Sequence, residues 1–369
     1  MSPERAKPTA AAGARRAPQV LLDLLSARGP SGYEAAPAAV WGEAAREFAQ
    51  VSTDIVGTTV ARVAPRASAR GDAPRLLVMG HIDEIGMIVT HIDDDGFLWF
   101  RPVGGWDPQI LIGQRVIVDT RDGPVPGLVG RKPIHLLREE EQKKVVQIRD
   151  MHIDVGARDG AQARKLVRIG DVAVIDSLPL ELPNGRLTAR ALDNRIGSYV
   201  ALQAARLVAE GGGAAWELVA AAVTQEETTF AGSRTSAFAL EPAAAIVIDV
   251  THATDAPGID PKEEGKHALG SGPVLGRGST LNEPLFELLH ESGRKGRIPF
   301  TVQASARATG TDADAVHLSR GGVPTGLVSV PLRYMHSPVE LVQLDDVEAC
   351  ARLIAAAALR LKRTTDFAR

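Results

Sequence analysis

The sequence predicts an α/β protein, in which an open three-layer sheet domain is divided along the chain by a small inserted β-barrel or sandwich. Three observations support this fold class. Continuously apolar runs alternate with helical patterns before residue 87 and again after residue 187, as expected for strands buried on both faces. Between these two parts, short strands and turns follow one another. The 369 residues are enough for one large domain and a smaller one.

The N-terminal part is predicted to begin with a disordered tail, residues 1–17, which lacks the apolar centre of a secretory signal. Two helical patterns, PQVLLDLLSARG and EAAPAAVWGEAAREFAQ, then flank the breaker GPSG. The strands VSTDIVGTTVARV and RLLVMG follow, and the second is continuously apolar. Residues 18–86 are therefore expected to form the first part of the main domain.

Residues 87–186 carry short β-rich runs separated by turn residues, namely MIVTHI, FLWFRPV, QRVIVDT, VPGLV, KVVQIRD, HIDVG and DVAVIDS. A short helix is predicted around ARDGAQARKLV, and REEEQKK is predicted to be a solvated loop. Short strands without long helices are typical of a small antiparallel barrel or sandwich. We therefore expect an inserted β domain in this segment.

After residue 187, helical and apolar runs alternate again. Strands are predicted at ELVAAAV, AAAIVIDV and TGLVSVP, and helices at ALDNRIGSYVALQAARLVAE, SRTSAFALE, LNEPLFELLHESG and DDVEACARLIAAAALRL. The single cysteine, Cys350, lies in the last helix, where we expect a small core residue. Residues 187–369 would complete the domain that begins at residue 18.

The composition argues against several classes of protein. The net charge of −3 gives no basic footprint of the kind that binds nucleic acid. No apolar run reaches the roughly 18 residues that span a bilayer, so no membrane partner is expected and a cytoplasmic location is the default. One cysteine cannot form an intrachain disulfide, which fits a reducing compartment.

Polar side chains stand just past the ends of the apolar runs. They are His81 and Asp83 after RLLVM, Glu226 and Glu227 after ELVAAAV, Asp249 at the end of AAAIVI, and His336 after LVSVPLRYM. Asp193, at the start of the helix that follows TARAL, is placed to join them. Open α/β sheets bind ligands at the carboxyl ends of their strands, so these side chains are expected to converge.

This set of side chains suits a pair of divalent ions. Imidazole and carboxylate together favour zinc, cobalt or manganese, and the absence of thiolates argues against a Cys-type zinc site. A carboxylate bridges ions about 3.5–4 Å apart in two-metal hydrolases, and Asp193 is the bridge we expect. Taken alone, a histidine after a strand or the pair Glu226–Glu227 has a structural interpretation. Asp249 is different, because an unpaired buried carboxylate is costly, and the joint arrangement favours a metal centre.

The chain also carries short motifs in a fixed order: GHIDEIG, GGWD, KPIHLL, DVGA, ALDNRIG, TQEE, IDVTHATD, GTDAD and RYMHSPVE. Together they resemble the successive blocks of the tetrahedral, glutamyl-type dinuclear metallo-aminopeptidase family. The resemblance implies a phosphorylase/hydrolase-like catalytic domain, residues 18–86 and 187–369. It implies that residues 87–186 are an inserted β-barrel of the PDZ-like or dimerisation type. It also implies a homo-oligomer, with a dodecamer expected and a dimer as the alternative.

The resemblance implies a role for each residue of the set. His81 and Asp249 would hold one ion, Glu227 and His336 the other, and Asp193 both. Glu226 would be the general base, and Asp83 would orient His81 through the ring nitrogen that does not bind metal. The sequence departs from the family after the paired glutamates, where TTFAGS replaces a more usual Val-Gly-Leu-Arg-Gly-Ala. This departure weakens any transfer of substrate preference.

The implied reaction is the metal-dependent removal of N-terminal residues from peptides. Bound metal lowers the pKa of water from roughly 15.7 to about 7, which produces a hydroxide that attacks the first peptide carbonyl. Glu226 would accept the proton of this water and return it to the leaving amine. Thr311 and Asp312, in GTDAD, are candidate substrate contacts, with a structural turn as the alternative.

Other functions remain open at this stage. A carboxypeptidase or N-deacylase would share the metals but would need a basic group for the substrate carboxylate, and Arg333 is a candidate for it. A glycosidase that uses paired carboxylates would need no metal. A non-catalytic assembly protein would not require the six site residues to be intact, and they are present.

Overall fold

The computed structural model describes residues 15–69 and 72–368. Residues 1–14 of the predicted tail lie outside this range. Residues 15–17 contact other parts of the chain: Arg15 pairs with Asp345 at 2.9 Å, and the Ala17 backbone N–H donates to the Glu181 carboxylate at 2.8 Å. Within the described residues, none of the helices combines the length and the apolar composition that a bilayer span requires.

The first part of the chain forms two helices and three strands: α1 (Gln19–Ser26), α2 (Ala35–Arg46), β1 (Gln50–Thr53), β2 (Thr59–Val63) and β3 (Arg75–His81). The two predicted helices are therefore confirmed, and VSTDIVGTTVARV folds into an antiparallel hairpin of β1 and β2. Leu21, Leu24 and Leu25 of α1 are buried in the main core. This leucine face anchors the N-terminal helix to the sheet domain.

The next six strands close into a barrel in the order β4-β5-β8-β7-β6-β9. The elements of this region are β4 (Gly86–Ile92), β5 (Leu98–Val103), α3 (Pro108–Leu111), β6 (Arg115–Thr120), β7 (Gly123–Gly130), α4 (Glu139–Gln142), β8 (His152–Asp154), α5 (Gly160–Leu166) and β9 (Val172–Ile175). Met87, Leu98 and Val116 fill the barrel core. The predicted inserted barrel and its short helix, α5, are confirmed.

Two short predictions in this region are wrong. KVVQIRD forms no strand, because the barrel closes without it; Val146 and Ile148 pack against the barrel core while Val145 stays exposed. REEEQKK contains the short helix α4 rather than only a loop. Apolar β-branched residues fit a covering loop as well as a strand, so the composition alone did not distinguish the two.

The rest of the chain returns to alternating strands and helices. Its elements are β10 (Leu180–Leu182), β11 (Arg186–Ala189), α6 (Leu192–Glu210), β12 (Glu217–Val223), α7 (Glu226–Thr229), α8 (Ala231–Leu240), β13 (Ala244–His252), α9 (Pro261–Glu264), β14 (Val274–Gly278), α10 (Glu283–Gly296), β15 (Thr301–Ser305), α11 (Ala313–Val316), β16 (Thr325–Leu332), β17 (Glu340–Gln343) and α12 (Leu344–Arg360). Cys350 is buried in α12, as predicted. The α/β class is therefore confirmed.

The main sheet has eight strands in the order β1-β2-β12-β3-β13-β16-β14-β15. Its four central strands, β12, β3, β13 and β16, pair in parallel. Their side chains are almost entirely buried, which explains why their sequences are continuously apolar. Because the four strands are parallel, their carboxyl ends lie at one edge of the sheet, and the polar residues that follow them meet there.

Helix α6 packs unusually close to β3. A Cβ atom on Gly80 would lie 2.3 Å from the carbonyl carbon of Gly197, so only glycine allows this contact between strand and helix. The contact brings the first turn of α6, and with it Asp193, beside the end of β3. A three-stranded sheet, β10-β11-β17, lies after the barrel and carries Glu340 at the start of β17.

Candidate metal centre

Asp193 lies between two histidines that come from opposite ends of the sequence. Its Oδ1 atom is 3.2 Å from Nε2 of His81, and its Oδ2 atom is 3.4 Å from Nε2 of His336. Each oxygen of one carboxylate therefore faces a different imidazole. This is the arrangement that a carboxylate bridging two ions requires.

The remaining predicted ligands complete one group on each side of Asp193. His81, Asp193 and Asp249 form one group, and Asp193, Glu227 and His336 form the other. Within each group the ligand atoms all lie within 4.8 Å of one another. Three histidine and carboxylate ligands per ion suit zinc or cobalt, and the buried carboxylates need cations to balance their charge.

Glu226 belongs to a third group, with His81 and Glu227. Its Oε2 atom is 3.7 Å from Nε2 of His81, and its side chain is 10% exposed towards the cleft. Burial, together with the nearby Asp249 carboxylate, raises the pKa of Glu226 to about 10. Geometry alone thus allows Glu226 to act as a base or as a ligand.

The pKa values of the other groups reflect crowding of buried charge. Burial raises the pKa of Asp249 well above its usual value and also raises the pKa of Glu227. Asp193 behaves in the opposite way: burial opposes its ionisation, but hydrogen bonds to His336 and His81 lower its pKa. The buried carboxylates outnumber the two histidines among them, so the site favours the binding of cations.

Asp83 connects His81 to the turn that carries the paired glutamates. Its two oxygens accept hydrogen bonds from the backbone N–H groups of Glu226 and Glu227, each at 3.2 Å. Its Oδ1 atom is 3.3 Å from Nδ1 of His81, although the angle falls short of a hydrogen bond. Asp83 is fully buried, so one carboxylate positions groups from two neighbouring strands.

Glu340, like Asp83, accepts backbone N–H groups of site residues, and the sequence analysis did not identify this role. Its buried carboxylate accepts the backbone N–H of Asp193 at 3.0 Å and that of His336 at 2.9 Å. Burial raises the pKa of Glu340 well above its usual value, as does the nearby Asp193. The only sequence signal was its place at the end of the motif RYMHSPVE, four residues after His336.

Glu84 is a second residue whose position the sequence did not reveal. Its carboxylate accepts hydrogen bonds from Arg190, from Arg195 at 2.8 Å and from the Gly29 backbone N–H at 3.1 Å. Burial opposes its ionisation, but the guanidinium groups of Arg190 and Arg195 hold the pKa of Glu84 below its usual value. This buried network fixes the first turn of α6, which carries Asp193, against the end of β3.

The inserted barrel reaches the centre through the loop after β5. A Cβ atom on Gly104 would lie 3.2 Å from Oε2 of Glu227 and 2.5 Å from Cγ2 of Ile85, and one on Gly105 would lie 3.3 Å from Nδ1 of His336. Gly104 also has a φ of +76°, which favours glycine. The GGWD motif is therefore the place where the barrel packs against two of the predicted ligands.

The two candidate substrate contacts occupy different positions. Thr311 lines the cleft beside the centre, and its hydroxyl also accepts the backbone N–H of Ala313 at 3.2 Å. Asp312 is buried, and burial raises its pKa to about 6. Thr311 therefore stabilises a turn and is also accessible from the cleft. Asp312 does not line the cleft and lies behind its wall.

Arg333 does not face the cleft. Its guanidinium forms a two-point contact with the Asp255 carboxylate, at 3.1 and 2.6 Å, and Asp255 raises the pKa of Arg333. The cleft itself has a volume of about 380 Å³, and none of the described residues that line it is a lysine or arginine. The basic group that a carboxypeptidase or deacylase would need is thus missing from the cleft walls described.

The α/β fold with an inserted barrel and the clustered histidine and carboxylate side chains are those of a metal-dependent hydrolase. The sequence model of the M42 glutamyl aminopeptidase family matches residues 63–353, and the chain belongs to this family. Its activity is accordingly that of a metal-dependent aminopeptidase, a hydrolase. The family predicted from the sequence motifs is confirmed.

Relatives and solved structures agree with this membership. The chain is 36% identical to lysyl aminopeptidase of Pyrococcus furiosus over 317 residues, which cover 85% of this chain and 88% of the relative. It is similar to the crystal structure of a TET aminopeptidase from a marine sediment thaumarchaeon, with 35% identity, a TM-score of 0.87 and coverage of 93% and 96%. It is also similar to the TET1 peptidase of Pyrococcus horikoshii, which assembles into a tetrahedron or an octahedral shell, with 29% identity, a TM-score of 0.81 and coverage of 93% and 99%.

Proposed function

We propose that the chain removes N-terminal residues from peptides at a pair of divalent ions. Five side chains would hold the ions, and Glu226 would lie beside them. In this proposal, His81 and Asp249 hold one ion, Glu227 and His336 hold the other, and Asp193 bridges them. The observation that supports it most strongly is the position of the Asp193 carboxylate, with one oxygen beside each histidine. We propose zinc or cobalt, with manganese as a further candidate.

When bound, the ions supply a water molecule that ionises near neutral pH and they polarise the scissile carbonyl. The protein residues move the proton. Glu226 faces the cleft, and bound cations would favour its ionised form, which burial otherwise disfavours. Its carboxylate would then accept the proton of the attacking water and return it to the leaving amine. We propose Asp83 as a positioning residue, because its carboxylate accepts the backbone N–H of Glu226 and lies 3.3 Å from Nδ1 of His81.

The charge of the cleft supports an aminopeptidase over the other dinuclear hydrolases. A carboxypeptidase or an N-acyl amino acid deacylase binds a free carboxylate, which needs a cationic partner. Arg333 is already paired with Asp255 and does not line the cleft. An N-terminal ammonium group, in contrast, suits a cleft rich in carboxylates. Thr311 remains a proposed substrate contact on the cleft wall, and Asp312 a proposed charge behind it.

The domain limits and the assembly are also proposals. We propose that residues 18–86 and 187–369 form the catalytic domain and that residues 87–186 form a barrel that contacts a second subunit. Relatives of the TET type assemble into closed shells, which supports a homo-oligomer and favours a dodecamer over a dimer. Light scattering on the purified protein distinguishes the two, because their masses differ sixfold.

The role of Glu226 is tested by Glu226→Gln beside Glu227→Gln. Glu226→Gln should keep both ions and lose about 10²–10⁴ of kcat, the usual contribution of a general base. Glu227→Gln should lose one ion. Metal content by mass spectrometry and hydrolysis of aminoacyl p-nitroanilides measure the two effects. If Glu226→Gln loses an ion and Glu227→Gln keeps both, the two glutamates have the opposite roles.

The same assay separates the proposed function from its alternatives. An anilide with a free α-amino group should be hydrolysed, whereas its N-acetylated form should not. A chelator should abolish the activity, in contrast to a glycosidase that needs no metal. Hydrolysis of the N-acetylated substrate in preference to the free one would identify a deacylase instead.

A further inference from the structure

The cleft extends beyond the metal centre along a wall that is mostly polar. Thr251, His252, Gln303, Ser305 and Thr309 line this part, which lies next to the ends of β13 and β15. Gln303 is held in place by the Thr251 hydroxyl, at 3.0 Å. The same cleft is also lined by Val250, Leu327 and Met335, so the inference below rests on charge and not on a lack of apolar surface.

One charged side chain, Glu264, lies on this wall outside the metal centre. It is the last residue of α9 and is partly buried, whereas its neighbour Glu263 is exposed. No lysine or arginine is found among the described residues of the cleft wall. The nearby His267 adds no positive charge at neutral pH, because burial lowers its pKa.

Cations near the cleft are either neutralised or outside it. Lys262 and Lys266, which flank Glu264 in the sequence, are exposed and do not line the cleft. Arg333 is paired with Asp255, as described above. Arg307 lies on the exposed loop between Ser305 and Thr309 and does not line the cleft. The fixed charge that a substrate side chain meets inside the cleft is therefore negative.

We propose that the cleft selects peptides whose N-terminal residue has a basic side chain and rejects those with an acidic one, and that Glu264 is the residue that determines this selectivity. The inference rests on the proposed aminopeptidase function and names the substrate class of the same site.

The physical reason is a difference in Coulomb energy. A lysine or arginine side chain gains attraction to Glu264, whereas a glutamate side chain meets repulsion without a compensating cation. Glu264 is partly solvated, so the effect is smaller than for a buried pair. We expect kcat/KM for a lysyl or arginyl p-nitroanilide to exceed that for a glutamyl p-nitroanilide by about tenfold or more.

The experiment compares the lysyl, arginyl, leucyl and glutamyl p-nitroanilides with the metal-loaded wild-type protein. It then repeats the comparison with Glu264→Gln, Glu264→Lys and the control Glu263→Gln. Glu264→Gln should reduce the preference for lysyl over leucyl substrate by roughly five- to tenfold, and Glu264→Lys should raise glutamyl hydrolysis above lysyl hydrolysis. Glu263→Gln should leave the ratios unchanged. Thermal unfolding and metal content confirm that each variant is folded and loaded.

Several results would overturn the selectivity while leaving the function intact. These are a wild-type preference for the glutamyl anilide, an unchanged ratio in Glu264→Gln, or the same change in Glu263→Gln. Anilides have no second amino acid, so dipeptides with lysine in the second position are tested as well. If Glu264→Gln changes the hydrolysis of these dipeptides alone, Glu264 contacts the second residue and the proposal is wrong. Failure to hydrolyse any anilide would instead overturn the proposed function.

Discussion

The two halves of the proposed metal centre are built differently. In the first half, His81 ends β3 and Asp249 lies within β13, and these two parallel strands are hydrogen-bonded neighbours. In the second half, Glu227 stands on the four-residue helix α7, and His336 lies in the loop after β16 with a φ of +57°. The ring of His81 is 2% exposed, whereas that of His336 is 34% exposed.

This difference shows which ligands are positioned by the sheet itself and which are positioned by contacts from other parts of the chain. In the first half both ligands lie in strand ladders, because His81 pairs with Val223 of β12 and Asp249 pairs with Ser329 of β16. The second half depends on three outside contacts: Asp83 on the α7 backbone, Glu340 on the His336 backbone, and Gly104 against Glu227. We therefore expect the second half to bind its ion more weakly and to respond more strongly to changes in its surroundings.

The largest effect is expected where the halves join. Asp193→Asn removes the charge that faces both histidines, so both ions should bind more weakly and activity should fall more than about a hundredfold, beyond the range typical of supporting residues. Metal content and anilide hydrolysis measure this loss. A variant that keeps one tightly bound ion would show that the halves are independent and that Asp193 belongs to only one of them.

A smaller effect is expected from Glu340→Gln. The amide has one acceptor oxygen instead of two, so either Asp193 or His336 loses its partner for the backbone N–H. We expect about tenfold weaker binding of the second ion, within the range known for groups that support metal ligands. Titration with a competing chelator measures the affinity, and the half-exposed Glu348 provides the control Glu348→Gln. Equal weakening of both ions would contradict the asymmetry.

The smallest effect concerns the barrel, and it has a matched control. Gly104 and Gly113 have nearly the same left-handed backbone, with φ of +76° and +78°, but a Cβ on Gly113 meets nothing within 4 Å. Both alanine variants should lose about 1–2 kcal/mol of stability through the backbone. Gly104→Ala should lose more than Gly113→Ala, because its Cβ would also lie 2.5 Å from Cγ2 of Ile85. Only Gly104→Ala should also weaken the second ion, by roughly three- to tenfold, because it crowds Glu227.

Differential scanning calorimetry and chelator titration separate these two consequences. Equal metal affinity in the two variants would show that the barrel loop covers the centre without supporting it. Loss of the first ion in Gly104→Ala would show that the loop acts on His81 and Asp249, which it does not touch.

The sequence carries clearer signals for the proposed ligands of the first half than for the supports of the second. Continuously apolar runs mark central parallel strands, so His81 and Asp249 were proposed from the ends of those runs. Glu340 was not, because its role depends on Asp193 lying beside it, 147 positions earlier in the chain. Gly104 was recognised only as part of a motif, since its contact with Glu227 exists only after the barrel docks.

The same distinction applies to the fold. The central strands and the long helices were predicted, because each carries its own pattern of buried residues. The strands β14 and β15 at the sheet edge were not, and half-exposed strands such as Thr301–Ser305 lack a continuous apolar run. KVVQIRD had the composition of a strand, but the barrel left it no partner.

The close contact between Gly80 and Gly197 has a consequence for how such a protein diversifies. Main-chain atoms of a strand and a helix touch there, so the backbone determines how far Asp193 stands from His81. Changes in the walls of the cleft leave that spacing as it is. Proteins with this architecture can therefore change the residues that recognise a substrate while the geometry of the hydrolytic site stays the same.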